Sequence, residues 1–298
     1  MKIFDCFMYF DEEILLDLRM NILDKYVDYF VIVESTFTHK GEERKLHFNH
    51  KRFEKFENKI IYLVYDEKPK DIKEILKNDI EPDISNKFII NALLRENGQR
   101  NFIINGLKDA NDDDYILVSD VDEIPNLEEV DFSKINQKIL LFRQDMFYYK
   151  FNLNLPNFSW TGTKGCKKRN FISPQWLRNI KDRKYNFLRF DTFFSKTKYM
   201  NIKIIYNCGW HFTNLKNAKE IEYKLKSYLH HREYDLKPLG TKKIEEIMKN
   251  RKAIYNLRAD MKSDKFDNTQ KLIIAEMSEL PVYIQKNLEK YKDWIEIK

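Results

Sequence analysis

The sequence predicts an α/β fold built on a mostly parallel central sheet, with a helical C-terminal region. Three observations predict it. Tyr29–Val33, Ile60–Tyr65 and Tyr115–Ser119 are uninterrupted apolar runs, the pattern of strands buried on both faces. Apolar residues recur at helical spacing between them, at Ile14, Leu15, Leu18, Ile22 and Tyr26. The resulting alternation of strands and helices is what a parallel sheet with crossover helices requires.

In chain order, Lys2 to Phe10 is apolar and β-prone and ends at Asp11-Glu12-Glu13, acids favoured at a helix start. The first helix follows, then the strand closing on Glu34. Thr36 to Asn49 is polar and aperiodic and reads as a loop, with His39, His47 and His50 at the surface. A helix is expected within 87–108, weakened at Gly98. Asp112-Asp113-Asp114 reads as a turn before the third buried run. Ile139–Phe151 and Tyr185–Phe194 read as aromatic-rich strands, and Ile202–Tyr206 as another. Helical patterns return near 217–230, 241–257 and 282–292. The expected organisation is a catalytic unit over 1–235, with a nucleotide part at about 1–135 and an acceptor part at about 136–235. A helical extension over 236–298 packs on the same unit.

The chain has 298 residues, 43% hydrophobic and 14% aromatic, enough for a sizeable core and too apolar for global disorder. Cys6, Cys166 and Cys208 are too few and too scattered for a disulfide framework or a zinc cluster. No apolar run approaches the roughly 18 residues of a membrane span, and Met1–Asp5 lacks a signal peptide's apolar core. The expectation is a cytoplasmic protein without a transmembrane segment. Charge is uneven: residues 1–150 carry a balance of −9 and residues 151–298 one of +15. A basic second half suits either a nucleic acid or a phosphorylated ligand held near the acidic half. Zinc-finger, RNP and heptad-linked basic signatures are lacking, so no nucleic-acid partner is expected. The sequence says nothing of the oligomeric state.

The strongest local signal is Ser119-Asp120-Val121-Asp122-Glu123-Ile124-Pro125, directly after a buried strand, where α/β folds place their ligands. Pro125 disfavours helical geometry at Ile124. Asp120 and Asp122, two apart, leave an extended segment on the same side. Two converging carboxylates repel unless a cation lies between them, and hard oxygen ligands suit Mg²⁺ or Mn²⁺. Such an ion neutralises charge on a departing diphosphate. A solvated acidic loop is the plainer alternative.

With these motifs the chain resembles glycosyltransferase family 17. The resemblance is carried by Phe4–Tyr9, Phe30–Ser35, Arg95-Glu96 with Gln99-Arg100, Ser119–Pro125 and Gly209-Trp210-His211-Phe212. It covers roughly residues 1–235, and the last sixty residues add little. It implies a GT-A fold: a nucleotide-binding α/β sandwich with a metal-binding D-x-D motif and an acceptor region C-terminal to it. It implies metal-dependent, inverting transfer of a sugar to a carbohydrate acceptor, with GlcNAc from UDP-GlcNAc as the expected donor. A glycan or glycolipid supplies the acceptor hydroxyl.

Roles are assigned on that basis. Asp120 and Asp122 are the metal ligands, with His211 a candidate further one, since neutral imidazole suits Mn²⁺ moderately well. Glu34, Arg95, Arg100, Asp120 and Trp210 are the donor-binding candidates. Arg95 and Arg100 lie about 140° apart on a helix, so one reaches the diphosphate, Arg100 by preference, and the other pairs with Glu96 or an adjacent acid. Trp210 stacks on a sugar or fills core. Inversion needs a general base, for which Asp145, a carboxylate in an apolar strand, and Glu233 are the candidates. A phosphohydrolase or nucleotidyltransferase using Glu34 and Asp66 for a second metal, and a non-catalytic carbohydrate-binding protein, are the alternatives.

Overall fold

A computed structural model describes residues 1–186, 189–229, 231–255 and 270–297. The apolar runs of the first half form β1 (Ile3–Tyr9), β2 (Tyr29–Ser35), β3 (Ile60–Tyr65) and β4 (Tyr115–Asp120). All are parallel, in the order β3-β2-β1-β4. Their crossovers carry α1 (Glu13–Leu23) and α2 (Glu81–Asn101). Side chains alternate across β1. Phe7 joins Leu16, Leu18 and Met20 of α1 in one apolar layer, while Phe4 and Cys6 join Ile103 and Leu107 in the other. That two-sided burial is why these strands read as continuous rather than alternating apolar runs. All three cysteines are buried and unpaired.

The second half departs from the expected parallel arrangement. β5 (Glu123–Pro125), β6 (Ile139–Tyr148), β7 (Leu153–Lys167), β8 (Ile202–Ile205), β9 (Gly209–Thr213) and β10 (Ile273–Ile274) extend the same sheet beyond β4 in the order β7-β6-β9-β5, with β8 beside β6 and β10 beside β7. β7 is antiparallel to both β4 and β6, so the sheet is mixed. The cause is connection length, since the few residues between β6 and β7 permit a hairpin but not a parallel crossover.

β7 is the longest of the elements sequence reading missed, along with β5, β9, β10 and the short helix Pro174–Asn179, and Pro156, Gly162 and Gly165 argue against a strand there. Both glycines are close-approach positions. A Cβ on Gly165 would lie 2.6 Å from Leu117 Cδ2, and one on Gly162 would collide with Gln144 Oε1.

Helices α3 (Pro174–Asn179), α4 (Asp191–Phe194), α5 (Ala218–Ser227), α6 (His231–Leu236), α7 (Thr241–Lys249), α8 (Val282–Lys286) and α9 (Leu288–Tyr291) complete the chain. α4 corrects the strand expected over 185–194, of which 187 and 188 lie outside the described residues. There Thr192 Oγ1 donates to Arg189 O (2.6 Å), closing a local turn that a strand would forbid. α5 begins at a capping box of Asn217 and Glu220. The helix expected over 217–230 ends at Ser227, with residue 230 outside the described set, and that over 241–257 ends at Lys249, with 256 and 257 outside it. Near the C-terminus Leu280, Ile284 and Tyr291 are buried in the same apolar layer as Leu15 and Leu18. Among the described residues no helix is long and apolar enough to cross a membrane.

Candidate active site

The site is built on the turn that joins β4 to β5, and a buried arginine shapes that turn. Arg19 of α1 is fully buried and paired with Asp5 of β1, also fully buried. Its Nη1 donates to Glu123 O (2.7 Å) and Asp120 O (3.2 Å), and its Nη2 to Ser119 Oγ (2.9 Å). One guanidinium thus satisfies carbonyls that an irregular buried turn would otherwise leave unpaired. The signal was in the sequence: Asp5 interrupts an apolar strand and Arg19 an apolar helix face.

Glu123 is 1% exposed and serves the same turn from the other side. Its carboxylate accepts from Asp120 N (2.8 Å), Trp160 Nε1 (2.7 Å) and Arg178 Nη1 (2.7 Å). Arg178 of α3 also donates to Asp120 Oδ2 (3.1 Å), while Arg100, at the end of α2, donates to Asp120 Oδ1 (3.2 Å). Burial alone would raise the Asp120 carboxyl, but Arg178 and then Arg100 outweigh it and hold it well below the usual carboxylate range. α3 is itself tied down by Lys164, whose Nζ donates to Arg178 O and Ile180 O (both 2.6 Å). Burial, followed by the charge of Arg178, pushes that ammonium down to about 8.

Asp122 takes different partners. β9 lies beside β5, with His211 opposite Glu123, and brings His211 Nε2 to 3.6 Å from Asp122 Oδ1. Lys224 of α5 stands 3.9 Å from the other oxygen. Burial raises the Asp122 carboxyl, and His211 and Lys224 reverse it to a net lowering. Burial likewise works against the His211 imidazolium, but Asp122 prevails and the pKa rises.

The two aspartates, with Arg100 and Lys224, line a cleft of about 190 Å³ at the carboxyl ends of β1, β2 and β4, and His211, Arg178 and Glu123 stand behind them. Phe10, Phe37 and Tyr228 give it aromatic wall, Asp120, Asp122, Arg100 and Lys224 give it charge, and Glu12 and His39 complete it. His39 corrects the expectation of a surface histidine. Arg95 donates to the carbonyls of His39 and Lys40 (both 3.1 Å), and Gln99 Oε1 lies 3.2 Å from His39 Nε2. Burial lowers the His39 pKa. Glu12 accepts from the amides of Phe10 (3.2 Å) and Asp11 (3.1 Å), and burial, then Asp11, raises its carboxyl. Sequence reading gave Glu12, Lys224 and Arg178 no role in the site because nothing local distinguishes them from solvated charge.

The other expected residues lie elsewhere. Glu34 is fully buried and anchors the loop that carries His39. It accepts from Arg44 Nη2 (3.0 Å), His47 N (2.6 Å), Phe48 N (3.0 Å) and Tyr62 OH (2.9 Å). Arg95 holds backbone rather than pairing with an acid. Arg100 both faces the cleft and pairs with Glu96 (2.7 Å), so the expected division of labour between the two arginines is replaced. Trp210 and Asp145 are register partners on β9 and β6 and line a second cavity of about 430 Å³ with Tyr26, Glu279 and Tyr283. Glu233 is on α6 and is not among the described residues lining either cavity.

Among the described residues no three or more His, Cys, Asp or Glu side chains converge as a metal cluster. Asp122 and His211 do converge, and Asp120 follows two residues earlier with its side chain 40% exposed. A small hard cation commonly takes one or two protein ligands and completes its shell with substrate phosphates and water. The donor set of one carboxylate, one imidazole and a nearby second carboxylate therefore fits Mn²⁺ or Mg²⁺ shared with a phosphorylated ligand.

Fold and cleft define a class: an α/β protein whose charged, aromatic-walled site opens at the carboxyl ends of parallel strands. The sequence profile described as glycosyltransferase family 17 matches residues 1–295, and the chain belongs to that family. It is 26% identical over 231 residues to the human beta-1,4-mannosyl-glycoprotein 4-beta-N-acetylglucosaminyltransferase, a match covering 72% of this chain and 40% of the relative. The mouse protein of the same name matches at 25% with the same coverage. The rat protein matches at 30% over 125 residues, 41% of this chain and 21% of that one. The chain thus spans about 40% of the length of the human and mouse relatives. A structural comparison with HddC from Yersinia pseudotuberculosis gives a TM-score of 0.30 at 9% identity, covering 69% of this chain and 90% of that one. A likeness that low carries no argument about the fold.

Proposed function

We propose that this protein is a metal-dependent, inverting glycosyltransferase that moves a sugar from a nucleotide donor to a carbohydrate hydroxyl. The names of the relatives favour GlcNAc from UDP-GlcNAc as donor, and the acceptor is a glycan or glycolipid. The observation that carries the reading is the convergence of Asp122 and His211, from distant parts of the chain, beside Lys224 at the end of β4.

In this reading Asp122 and His211 hold the cation, with Asp120 beside them. The chemistry such an ion supplies when bound is neutralisation of the departing diphosphate. Lys224 and Arg100, both lining the cleft, add fixed positive charge there. Phe10, Phe37 and Tyr228 offer faces for the base and ribose. Glu12 serves as general base, because it lines the cleft and Asp145 and Glu233 do not. Its raised carboxyl brings proton affinity closer to the working pH. Glu12 takes the acceptor hydroxyl proton as that oxygen bonds to the anomeric carbon. The bond to the diphosphate breaks on the opposite face, and its electron pair leaves with the phosphate oxygen.

The phosphohydrolase reading loses support because Glu34, one of its two second-metal candidates beside Asp66, is consumed by four hydrogen bonds. The test is incubation with Mn²⁺ and a panel of nucleotide sugars, with and without EDTA. Release of UDP from UDP-GlcNAc, abolished by EDTA, is expected. Release of nucleoside monophosphate from every donor overturns the transfer reading.

A further inference from the structure

We propose that α4, with Phe190 before it and Arg183, Lys184, Arg189 and Lys196 on either side, is a docking surface for an anionic lipid bilayer. Residues 181–203 carry seven basic and two acidic side chains. Both acids are already engaged by cations of the protein, Asp182 by Arg143 (3.4 Å) and Asp191 by Arg189 (2.8 Å) and Lys198 (2.6 Å). Lys184 and Lys196 are exposed and form no ion pair among the described residues. The cations are spatially gathered, since the Arg183 and Arg189 guanidinium groups lie 5.0 and 5.7 Å from the centroid of one ring, that of Tyr185.

Within this basic field two phenylalanines stand in solvent. Phe190 is 74% and Phe194 91% exposed. They are four residues apart across the single turn of α4, so they share a side of it. An isolated exposed apolar residue needs no explanation, but two large rings in a segment with an excess of positive charge do. Cations attracted to lipid phosphates and rings that enter the acyl boundary are the two halves of interfacial binding. Stacking platforms for single-stranded nucleic acid lie along a groove that tracks the backbone. Neither phenylalanine lines either of the two cavities described above. A bilayer therefore fits this surface better.

The surface is fastened to the cleft. Trp176 Nε1 of α3 donates to Lys196 O (2.6 Å), and Lys181 N donates to Thr197 O (2.9 Å). The same helix presents Arg178 to Asp120. Docking here holds the cleft beside a membrane, where a lipid-linked acceptor resides. The docking itself stands whether or not the sugar-transfer reading does.

The test is co-sedimentation of the full chain with phosphatidylcholine vesicles, pure or containing a third phosphatidylglycerol. Retention on the anionic vesicles alone, released by high salt, is expected. Phe190→Ser/Phe194→Ser should abolish it. Arg183→Gln/Lys184→Gln, on an exposed stretch where misfolding is not at issue, should weaken it about 25-fold, at roughly fivefold per charge. Circular dichroism identical to the parent's checks that both variants are folded. Absence of wild-type retention, or variants that sediment like wild type, overturns the proposal. Tighter binding to a single-stranded oligonucleotide than to the vesicles, lost in the same variants, also overturns it and assigns the surface to nucleic acid.

Discussion

Two neighbouring residues of β9 part company. His211 turns toward Asp122, which lines the cleft, while Trp210 turns into the second cavity, where it meets Asp145 and donates its indole hydrogen to Glu279 O (2.7 Å). β6 repeats the division, with Met146 opposite His211 and Asp145 opposite Trp210. The cleft side is electrostatically organised, because Asp120 is paired with Arg100 and Arg178 while Asp122 faces His211 and Lys224. On the other side the Asp145 carboxylate makes no hydrogen bond or ion pair among the described residues. Burial, then repulsion from Glu279, raises its carboxyl. The lesson is that an acid in an apolar strand signals function only once its face of the sheet is known, and the strand period of two sets that face.

The contrast can be broken most severely at the acids themselves. Asp122→Asn should lower transfer from UDP-GlcNAc by about 10³-fold or more, the scale of losing a central electrostatic contributor, with the thermal midpoint little changed. Asp145→Asn should stay within about threefold in the same assay, and equal losses in the two variants would erase the distinction. The next effect is on stability. Arg19→Leu leaves Asp5 charged and alone beneath the turn, and should cost about 3–5 kcal/mol in urea denaturation. Gly209→Ala probes the point where β9 begins. Gly209 has φ +118°, and a Cβ there would collide with Ile124 O, so a loss of about 1–3 kcal/mol is expected. The smallest effect belongs to His39. Its folded-state pKa is lowered by burial, so below the ordinary imidazole range the unfolded chain binds the proton more readily. Stability on this account is complete above that range and declines as pH falls through it. His39→Gln should flatten that part of the acid limb in a pH series of urea midpoints.

Much of the parallel half was legible because burial on both faces writes itself into composition. Tyr29–Val33, Ile60–Tyr65 and Tyr115–Ser119 became β2, β3 and β4 with small changes at their ends. The antiparallel half was less legible. β7 carries Gly162 and Gly165 for close approach, so its reasons lie in Gln144 and Leu117, which are remote in sequence. In the site, Asp120 and Asp122 announced themselves through position after an apolar strand. Arg178, Lys224 and Glu12 did not, because a charged residue on a loop or short helix looks the same whether it faces water or a carboxylate.

What the sequence determined by itself was the placement of an acidic turn at the end of a buried strand, together with the α/β character of the half that bears it. Both follow from local rules, the solvation of side chains and the geometry of a strand end. Only the tertiary structure decided which charges meet at that turn. It brought His211, Lys224 and Arg178 to the two aspartates and carried Asp145 and Trp210 to another cavity. Those outcomes depend on strand order and register, which are fixed by the packing of the whole sheet rather than by any segment of it.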